Sequence, residues 1–191
     1  MAKGKLIVFS APSGTGKTTI VRKLMEVERL KLKFSVSATN RPIRANELHG
    51  RDYFYFTTEE FNAKVAADEF LEWEEVYPGR FYGTLKLEVE NCINQEFNMA
   101  FDIDVAGGFD IKKQYGEQAL LIFIKPPSVE ELAKRLRNRA TDSDTDIETR
   151  LAKAERELSF ADRYDVVVVN DALDVAVAEI QTIIDKFLTQ E

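Results

Sequence analysis

Apolar and polar positions along the chain follow two rhythms, one of strands buried on both faces and one of helices buried along a stripe. Leu6-Ile7-Val8-Phe9 is an unbroken apolar run, and Ile20, Val21 and Leu24 follow at helical spacing. This predicts a buried strand and then a helix reaching about Arg29. Leu32-Lys33-Phe34-Ser35-Val36-Ser37 alternates and predicts a second strand. The rhythm then breaks from residue 38 to about 94. That stretch is polar and basic at first, then carries the aromatic run Tyr53-Phe54-Tyr55-Phe56, a predicted strand. A helix follows, opened by a capping box of Thr57 with Glu60 and a staple of Phe56 with Phe61. Glu72-Trp73-Glu74-Glu75-Val76-Tyr77 predicts another strand before the turn at Pro78-Gly79.

The first rhythm resumes with a strand over residues 97–103 that ends in Asp102-Ile103-Asp104. Ala119-Leu120-Leu121-Ile122-Phe123-Ile124 is continuous in the manner of a parallel-sheet strand, and Pro126-Pro127 stops it. Ser128 with Glu131 caps a helix bearing Val129, Leu132 and Leu136. A polar connection over 139–146 leads to a helix striped by Ile147, Leu151, Ala154 and Leu158. Val166-Val167-Val168-Val169 is the last core strand, and Leu173, Val177, Ile180, Ile184 and Leu188 mark the closing helix. The expected fold is α/β, a mostly parallel sheet with helices on both faces. Residues 1–37 and 95–191 form its core, and 38–94 form a small α+β insert over the sheet.

Between the first strand and first helix stands Ser10-Ala11-Pro12-Ser13-Gly14-Thr15-Gly16-Lys17-Thr18-Thr19. A strand, a glycine-bearing turn and a helix opening on Gly-Lys-Thr make a phosphate-binding loop. Backbone N–H groups wrap a polyphosphate at the positive end of the helix dipole. Lys17 adds a mobile charge over the outer phosphates, and the Thr18 hydroxyl is placed to ligate magnesium. The loop predicts a nucleoside triphosphate. Ala11 occupies the place where the pattern usually has its first glycine, which the turn tolerates if that position is not left-handed.

The chain has 191 residues, with 33 acidic against 26 basic and a formal charge of -7. Such a balance argues against a general nucleic-acid or anionic-membrane surface, though not against local arginine clusters. Cys92 stands alone, which excludes an intrachain disulfide and a cysteine-based metal site. No apolar run approaches the roughly 18 residues of a membrane span, and the N-terminus has no signal-peptide core, so a cytoplasmic protein is expected. Monomer and homodimer are both compatible with the sequence.

Three constellations add chemistry. Asp102 and Asp104 end a buried strand at the carboxyl edge of the sheet, where ligands of open α/β sheets bind. They are expected to point to opposite faces, so that one addresses the magnesium shell, through water; both also read as caps of nearby N–H groups. Arg41 and Arg44 follow the second strand and suit the oxygens of a monophosphate, or form a solvated basic loop. Arg135 and Arg139 lie one helical turn apart with Arg150 beyond them, either arriving on a mobile segment to stabilise a transferred phosphoryl group or lining a charged helix face. His49 reads as a loop residue and Cys92 as a small apolar one.

In this order the residues resemble the guanylate kinase family, over nearly the whole chain. The loop at 10–19 looks like that family's loop. Phe34-Ser35-Val36-Ser37 with Arg41, Arg44, Gly50 and Asp52-Tyr53-Phe54 looks like its acceptor segment, and Glu69-Phe70-Leu71-Glu72-Trp73 and Phe81-Tyr82-Gly83-Thr84 match further signatures. The Asp102-Ile103-Asp104 strand, the spacing from Arg139 to Arg150 and Val169-Asn170-Asp171 complete the register. The resemblance implies a P-loop kinase that transfers phosphate from Mg-ATP to GMP, and to dGMP. Arg41, Arg44, Tyr53 and Tyr82 would hold the GMP phosphate, and Ser37, Glu72, Gly83, Thr84 and Asp104 would surround the guanine. Glu72 suits the adjacent N1–H and N2–H donors of guanine, which adenine lacks. Residues 11–19 would hold ATP with Asn170 near the adenine, and Arg135, Arg139 and Arg150 would belong to a lid over about 139–150. The chain departs from the family where Asn40-Arg41-Pro42-Ile43-Arg44-Ala45-Asn46-Glu47 shifts a proline and lacks a glycine, and at Val105-Ala106-Gly107-Gly108. Two other readings fit parts of the pattern. A kinase for another phosphorylated acceptor, such as ribose 1,5-bisphosphate, would not need Ser37, Glu72 and Thr84. A non-catalytic phosphopeptide-binding module would not need an intact loop.

Overall fold

A strand of consecutive apolar residues needs cover on both faces, which a central place in a sheet provides, and Leu6–Ser10 (β1) lies at the centre of the core sheet with Leu6, Ile7, Val8 and Phe9 fully buried. The structure is a computed structural model that describes residues 3–138 and 144–190. Lys17–Met25 (α1) follows β1, then the short strands Leu32–Phe34 (β2), Ala38–Thr39 (β3) and Phe54–Tyr55 (β4). Thr58–Ala66 (α2), Phe70–Tyr77 (β5), Arg80–Leu85 (β6) and Lys86–Asn94 (α3) complete the first half. The second half runs Asn98–Asp102 (β7), Val105–Tyr115 (α4), Ala119–Lys125 (β8), Val129–Asn138 (α5), Asp144–Leu158 (α6), Val166–Val169 (β9) and Leu173–Thr189 (α7).

Among the described residues the core sheet has the order β2-β7-β1-β8-β9, and every pairing is parallel. Side chains alternate along β1. Ile7 and Phe9 pack with Ile20 and Leu24 of α1 and Ile180 and Ile184 of α7, whereas Leu6 and Val8 pack with Ile111 of α4 and Val89 and Ile93 of α3. Helices therefore cover both faces, as the sequence pattern predicts.

The second sheet, β4-β3-β6-β5, is mixed: β3 pairs parallel with β4, and β6 pairs antiparallel with β3 and β5. Its own core centres on Phe61, which stacks on Phe70 and Phe81 at centroid distances of 4.4 and 5.6 Å. The capping box forms as expected, with Glu60 N–H on Thr57 Oγ1 at 3.1 Å and Thr57 N–H on Glu60 Oε2 at 2.7 Å. Phe56 packs in the same cluster as Phe61 and closes the staple.

Several boundaries differ from the sequence reading. α1 stops at Met25, and a 3-10 turn over Glu28–Leu30 takes up the remainder, ending in Lys31 at φ 45°. The strand expected over 32–37 divides between the sheets: Ser35 N–H still bonds the Ala100 carbonyl at 2.9 Å, after which Ala38 and Thr39 pair with Gly83 and Tyr82. Alternation marks a strand without saying which sheet receives it. Val89, Cys92 and Ile93 of α3 pack in the core although they fall inside the stretch 38–94, because α3 follows β6 directly. Leu71 packs there too, and Gln114 Nε2 of α4 donates to its carbonyl at 2.7 Å, which ties the second sheet to the first. Finally, α6 already begins at Asp144, and it packs on α5 through Leu132, Leu136, Ile147 and Ala154. No helix among the described residues is long and apolar enough to cross a membrane.

The second sheet rests on few large side chains, so Phe61→Ala should lower unfolding free energy by about 3–5 kcal/mol. Urea denaturation followed by fluorescence measures this, and a loss below about 1 kcal/mol would mean that the sheet does not depend on this ring.

Candidate active site

The carboxyl ends of β1, β7, β8 and β9 reach one edge of the core sheet, where an open parallel sheet leaves a crevice. There β1 feeds the loop over 11–16. Gly14 and Gly16 have φ of 94° and 96°, a conformation that side chains oppose, and Gly16 is the N-cap of α1. Thr15 closes the turn with its N–H and its hydroxyl on the Pro12 carbonyl, at 3.1 and 2.7 Å. Ala11 is not left-handed, so its methyl is tolerated. A cavity of about 280 Å³ opens here, lined by Ala11, Ser13, Gly14, Gly16, Lys17 and Thr18. The unpaired N–H groups of the first turn of α1 favour an anion at this place.

Carboxylates and cations surround the loop. Lys17 Nζ lies 2.5 Å from Asp102 Oδ1 and 3.3 Å from the Ile103 carbonyl oxygen, and Thr18 Oγ1 donates to Asp102 Oδ2 at 3.3 Å. Asp102 and Asp104 do diverge, but not because of strand alternation, which places residues two apart on the same face. They diverge because β7 ends at Asp102 and Asp104 is the N-cap of α4, its Oδ1 accepting the Gly107 N–H at 2.8 Å. Asn170, buried after β9, donates from Nδ2 to the Thr15 carbonyl at 2.7 Å and so braces the loop. Arg135 of α5 donates to the Asn170 carbonyl at 2.9 Å and to Glu131 at 3.3 Å, and Arg150 of α6 reaches Ser13 Oγ at 2.9 Å. Arg139 lies outside the described residues.

The second sheet carries its own cationic group. Arg41 Cζ stands 5.3 Å from the Tyr53 ring centroid, and Tyr53 meets Tyr82 edge to face at 5.9 Å. Glu47 binds Arg41 in a bidentate pair, Nη2 to Oε1 at 2.9 Å and Nη1 to Oε2 at 3.0 Å. That contact raises Arg41 and holds the Glu47 carboxyl down at about 2. The Tyr55 hydroxyl donates to Glu47 Oε2 at 2.8 Å, and the Arg44 N–H does so at 2.9 Å, while Arg44 itself is exposed. Sequence reasoning picks out Arg41, Arg44, Tyr53 and Tyr82 but neither Glu47 nor Tyr55. The signal for Glu47 was an acid close behind two arginines, which composition alone does not separate from a solvated loop.

Glu72 of β5 and Thr84 of β6 meet Asp104 where the second sheet touches α4. The buried Thr84 hydroxyl donates to Glu72 Oε1 at 2.6 Å. A Cβ at Gly107 would come within 3.1 Å of Glu72 Oε2 and 3.3 Å of Asp104 Oδ1, so glycine there gives both carboxylates room. Burial pushes the Glu72 carboxyl up to about 7, with Thr84 opposing and Asp104 reinforcing the rise. Glu74 is pushed to about 7 as well, first by its hydrogen bond with Asp104. Glu74, Asp104, Phe109, Lys153, Arg156 and Phe160 border a neighbouring cavity of about 540 Å³. Glu74 escaped the sequence reading although strand alternation places it on the face of Glu72. Ser37 lies just before β3, its carbonyl accepting the Phe54 N–H at 2.9 Å, and Gly83 pairs between Ala38 and Trp73. The arrangement can hold a polyphosphate at the loop, a second phosphate at Arg41, and a group with paired N–H donors at Glu72.

The guanylate kinase family model matches residues 3–187. A guanylate kinase of Bacteroides thetaiotaomicron is 54% identical over 188 residues, 98% of this chain and 92% of the relative. One of Porphyromonas gingivalis is 48% identical over 97% of this chain and 99% of its own length. The crystal structure of guanylate kinase from Anaplasma phagocytophilum aligns with a TM-score of 0.76 at 30% identity, covering 100% of this chain and 89% of that one.

The raised Glu72 carboxyl has a signed effect on stability. Its folded value of about 7 lies above the ordinary 4.5, so its contribution is full below about pH 4.5 and is lost as pH rises through 7. Glu72→Gln stays neutral throughout. Relative to the parent chain the variant should therefore gain roughly 2 kcal/mol between pH 4.5 and 8, at about 1.4 kcal/mol per pH unit reduced for partial exposure. Urea midpoints across that range provide the test, and a difference independent of pH would remove the buried-carboxyl account.

Proposed function

The chain belongs to the guanylate kinase family, and on that premise we propose that its site transfers the terminal phosphoryl group of ATP to GMP, giving ADP and GDP. An oxygen of the GMP phosphate attacks the γ-phosphorus, the bond from that phosphorus to the β,γ-bridging oxygen breaks, and ADP leaves with the bonding electron pair. A phosphate monoester has its second pKa near about 6, so the nucleophile is already anionic at neutral pH and needs no general base. The obstacles are repulsion between two polyanions and competition from water.

One observation supports the reading: one chain combines a phosphate loop at the carboxyl edge of the core sheet, a guanidinium flanked by tyrosines on the second sheet and a hydroxyl-supported carboxylate near Asp104, at the start of α4. In this reading Ala11, Pro12, Ser13, Gly14, Thr15, Gly16, Lys17, Thr18 and Thr19 receive the phosphates of ATP. Arg41, Arg44, Tyr53 and Tyr82 receive the GMP phosphate. Glu72 accepts the paired donors of guanine, with Ser37, Gly83, Thr84 and Asp104 around the base. These groups address base and phosphate, which supports dGMP as a second acceptor. Arg135, Arg139 and Arg150 are assigned to neutralising the transferred group, with 139–150 as the lid and 38–94 as the acceptor insert rooted on the core through α3. Asn170 is assigned beside the adenine through the loop it braces.

The donor set at Thr18 and Asp102 fits magnesium, a hard cation that keeps most of its waters and takes one or two protein oxygens together with substrate phosphates. Thr18 would ligate it and Asp102 would act through water; bound there, it would neutralise charge on the outer phosphates. The cytoplasm is the proposed location, in keeping with the lack of a membrane-crossing helix among the described residues.

ADP formation from Mg-ATP should depend on GMP or dGMP, at roughly 1 to 100 per second, and stay at background with AMP, CMP, UMP or ribose 1,5-bisphosphate. Turnover with the sugar phosphate alone, or with no acceptor at all, would overturn the proposal.

A further inference from the structure

Arg41 is held in one orientation by groups that have no other evident task. A guanidinium carries five N–H donors in a fixed plane. Both hydrogens of Arg41 Nη1 are engaged, by the Pro42 carbonyl at 3.0 Å and Glu47 Oε2 at 3.0 Å, and one hydrogen of Nη2 goes to Glu47 Oε1 at 2.9 Å. This leaves the Nε–H and the outer Nη2–H, which lie side by side and match two oxygens of a phosphate, with the Tyr82 hydroxyl as a further hydrogen-bond partner of the guanidinium. Glu47 is itself fixed, since its Oε2 also accepts from the Tyr55 hydroxyl and the Arg44 N–H. Tyr55 is fixed in turn by pairing in β4 with Thr39 of β3, and Thr39 Oγ1 accepts the Arg41 N–H at 3.1 Å. The contacts form a closed ring from Thr39 through Arg41, Glu47 and Tyr55 back to Thr39.

We propose that Glu47 and Tyr55 are positioning residues for acceptor binding, which hold the Arg41 guanidinium by its far end so that its Nε edge is kept for the acceptor phosphate. The inference rests on the reading that Arg41 binds the phosphate of GMP. It accounts for an acid beside a phosphate-binding arginine, which by charge alone would weaken an anion site. If Glu47 were only a counter-charge, removing that charge would tighten GMP. If it positions Arg41, removing it weakens GMP, because a long side chain must then be ordered by the ligand.

The test is calorimetric titration of the full chain with GMP and with guanosine, which lacks the phosphate, for the parent, Glu47→Gln, Tyr55→Phe and Arg41→Ala. Steady-state kinetics accompany it. GMP affinity should fall about 10-fold in Glu47→Gln and about 3-fold in Tyr55→Phe. Guanosine affinity, KM for ATP and kcat should change less than about 2-fold, outside the range of a lost charged hydrogen bond. Unchanged or tighter GMP binding in both variants overturns the proposal, as does an equal loss for guanosine, which would mark a structural role. Arg41→Ala separates the two levels. If it leaves the preference for GMP over guanosine intact, the phosphate assignment of Arg41 fails; if it abolishes that preference while the other variants bind GMP normally, only the positioning role fails.

Discussion

Bringing a second phosphate up to a triphosphate is opposed by charge repulsion, and on the proposed function the distribution of cations in this chain answers that one constraint. The net charge is -7, so the positive potential cannot come from the molecule as a whole. It comes instead from single cations on separate elements: Lys17 on the loop, Arg41 on the second sheet, Arg135 on α5 and Arg150 on α6. Lys17 is held by Asp102, Arg41 by Glu47 and Arg135 by Glu131. A held cation is already oriented when an anion arrives, and its partner limits the positive charge that would otherwise attract unrelated polyanions.

The carboxylates near the cleft answer a different need. Glu72, Glu74 and Asp104 come together where the second sheet meets α4, and burial and mutual contact push Glu72 and Glu74 toward neutrality. This corner weakens the fold as pH rises. On the proposed function the gain is discrimination: an ionised, enclosed carboxylate is left without partners by any base that lacks adjacent N–H donors. On that proposal the same group costs stability and supplies selectivity, a common trade where a polar site is enclosed.

Much of this was legible in the sequence, because it depends on local patterns. The short unbroken run Leu6-Ile7-Val8-Phe9, bounded by a glycine-bearing turn, read as a buried strand, and Gly14, Gly16, Lys17 and Thr18 carried the loop with them. The capping box at Thr57 and Glu60 lay within one helical turn and formed as expected. What escaped depends on contacts between segments. Ser35, Val36 and Ser37 alternate like any strand, yet the chain changes sheets there. Val89, Cys92 and Ile93 join the core because α3 packs against β7, a partner that their helical spacing does not identify. Glu47 and Tyr55 are drawn to Arg41 by a loop whose path has no repeat, and the divergence of Asp102 from Asp104 follows from where β7 ends. Function was therefore easier to read than the groups that hold the functional residues in place.

The central claim is that core and second sheet form one acceptor site, with a phosphate at Arg41 and a base at Glu72. A crystal structure of the chain with GMP tests it most directly. The account requires the phosphate oxygens within hydrogen-bond distance of Arg41, Tyr53 and Tyr82, and guanine N1 and N2 both donating to Glu72 beside Thr84. GMP bound in the reverse direction, or with its base away from Glu72, would contradict the account.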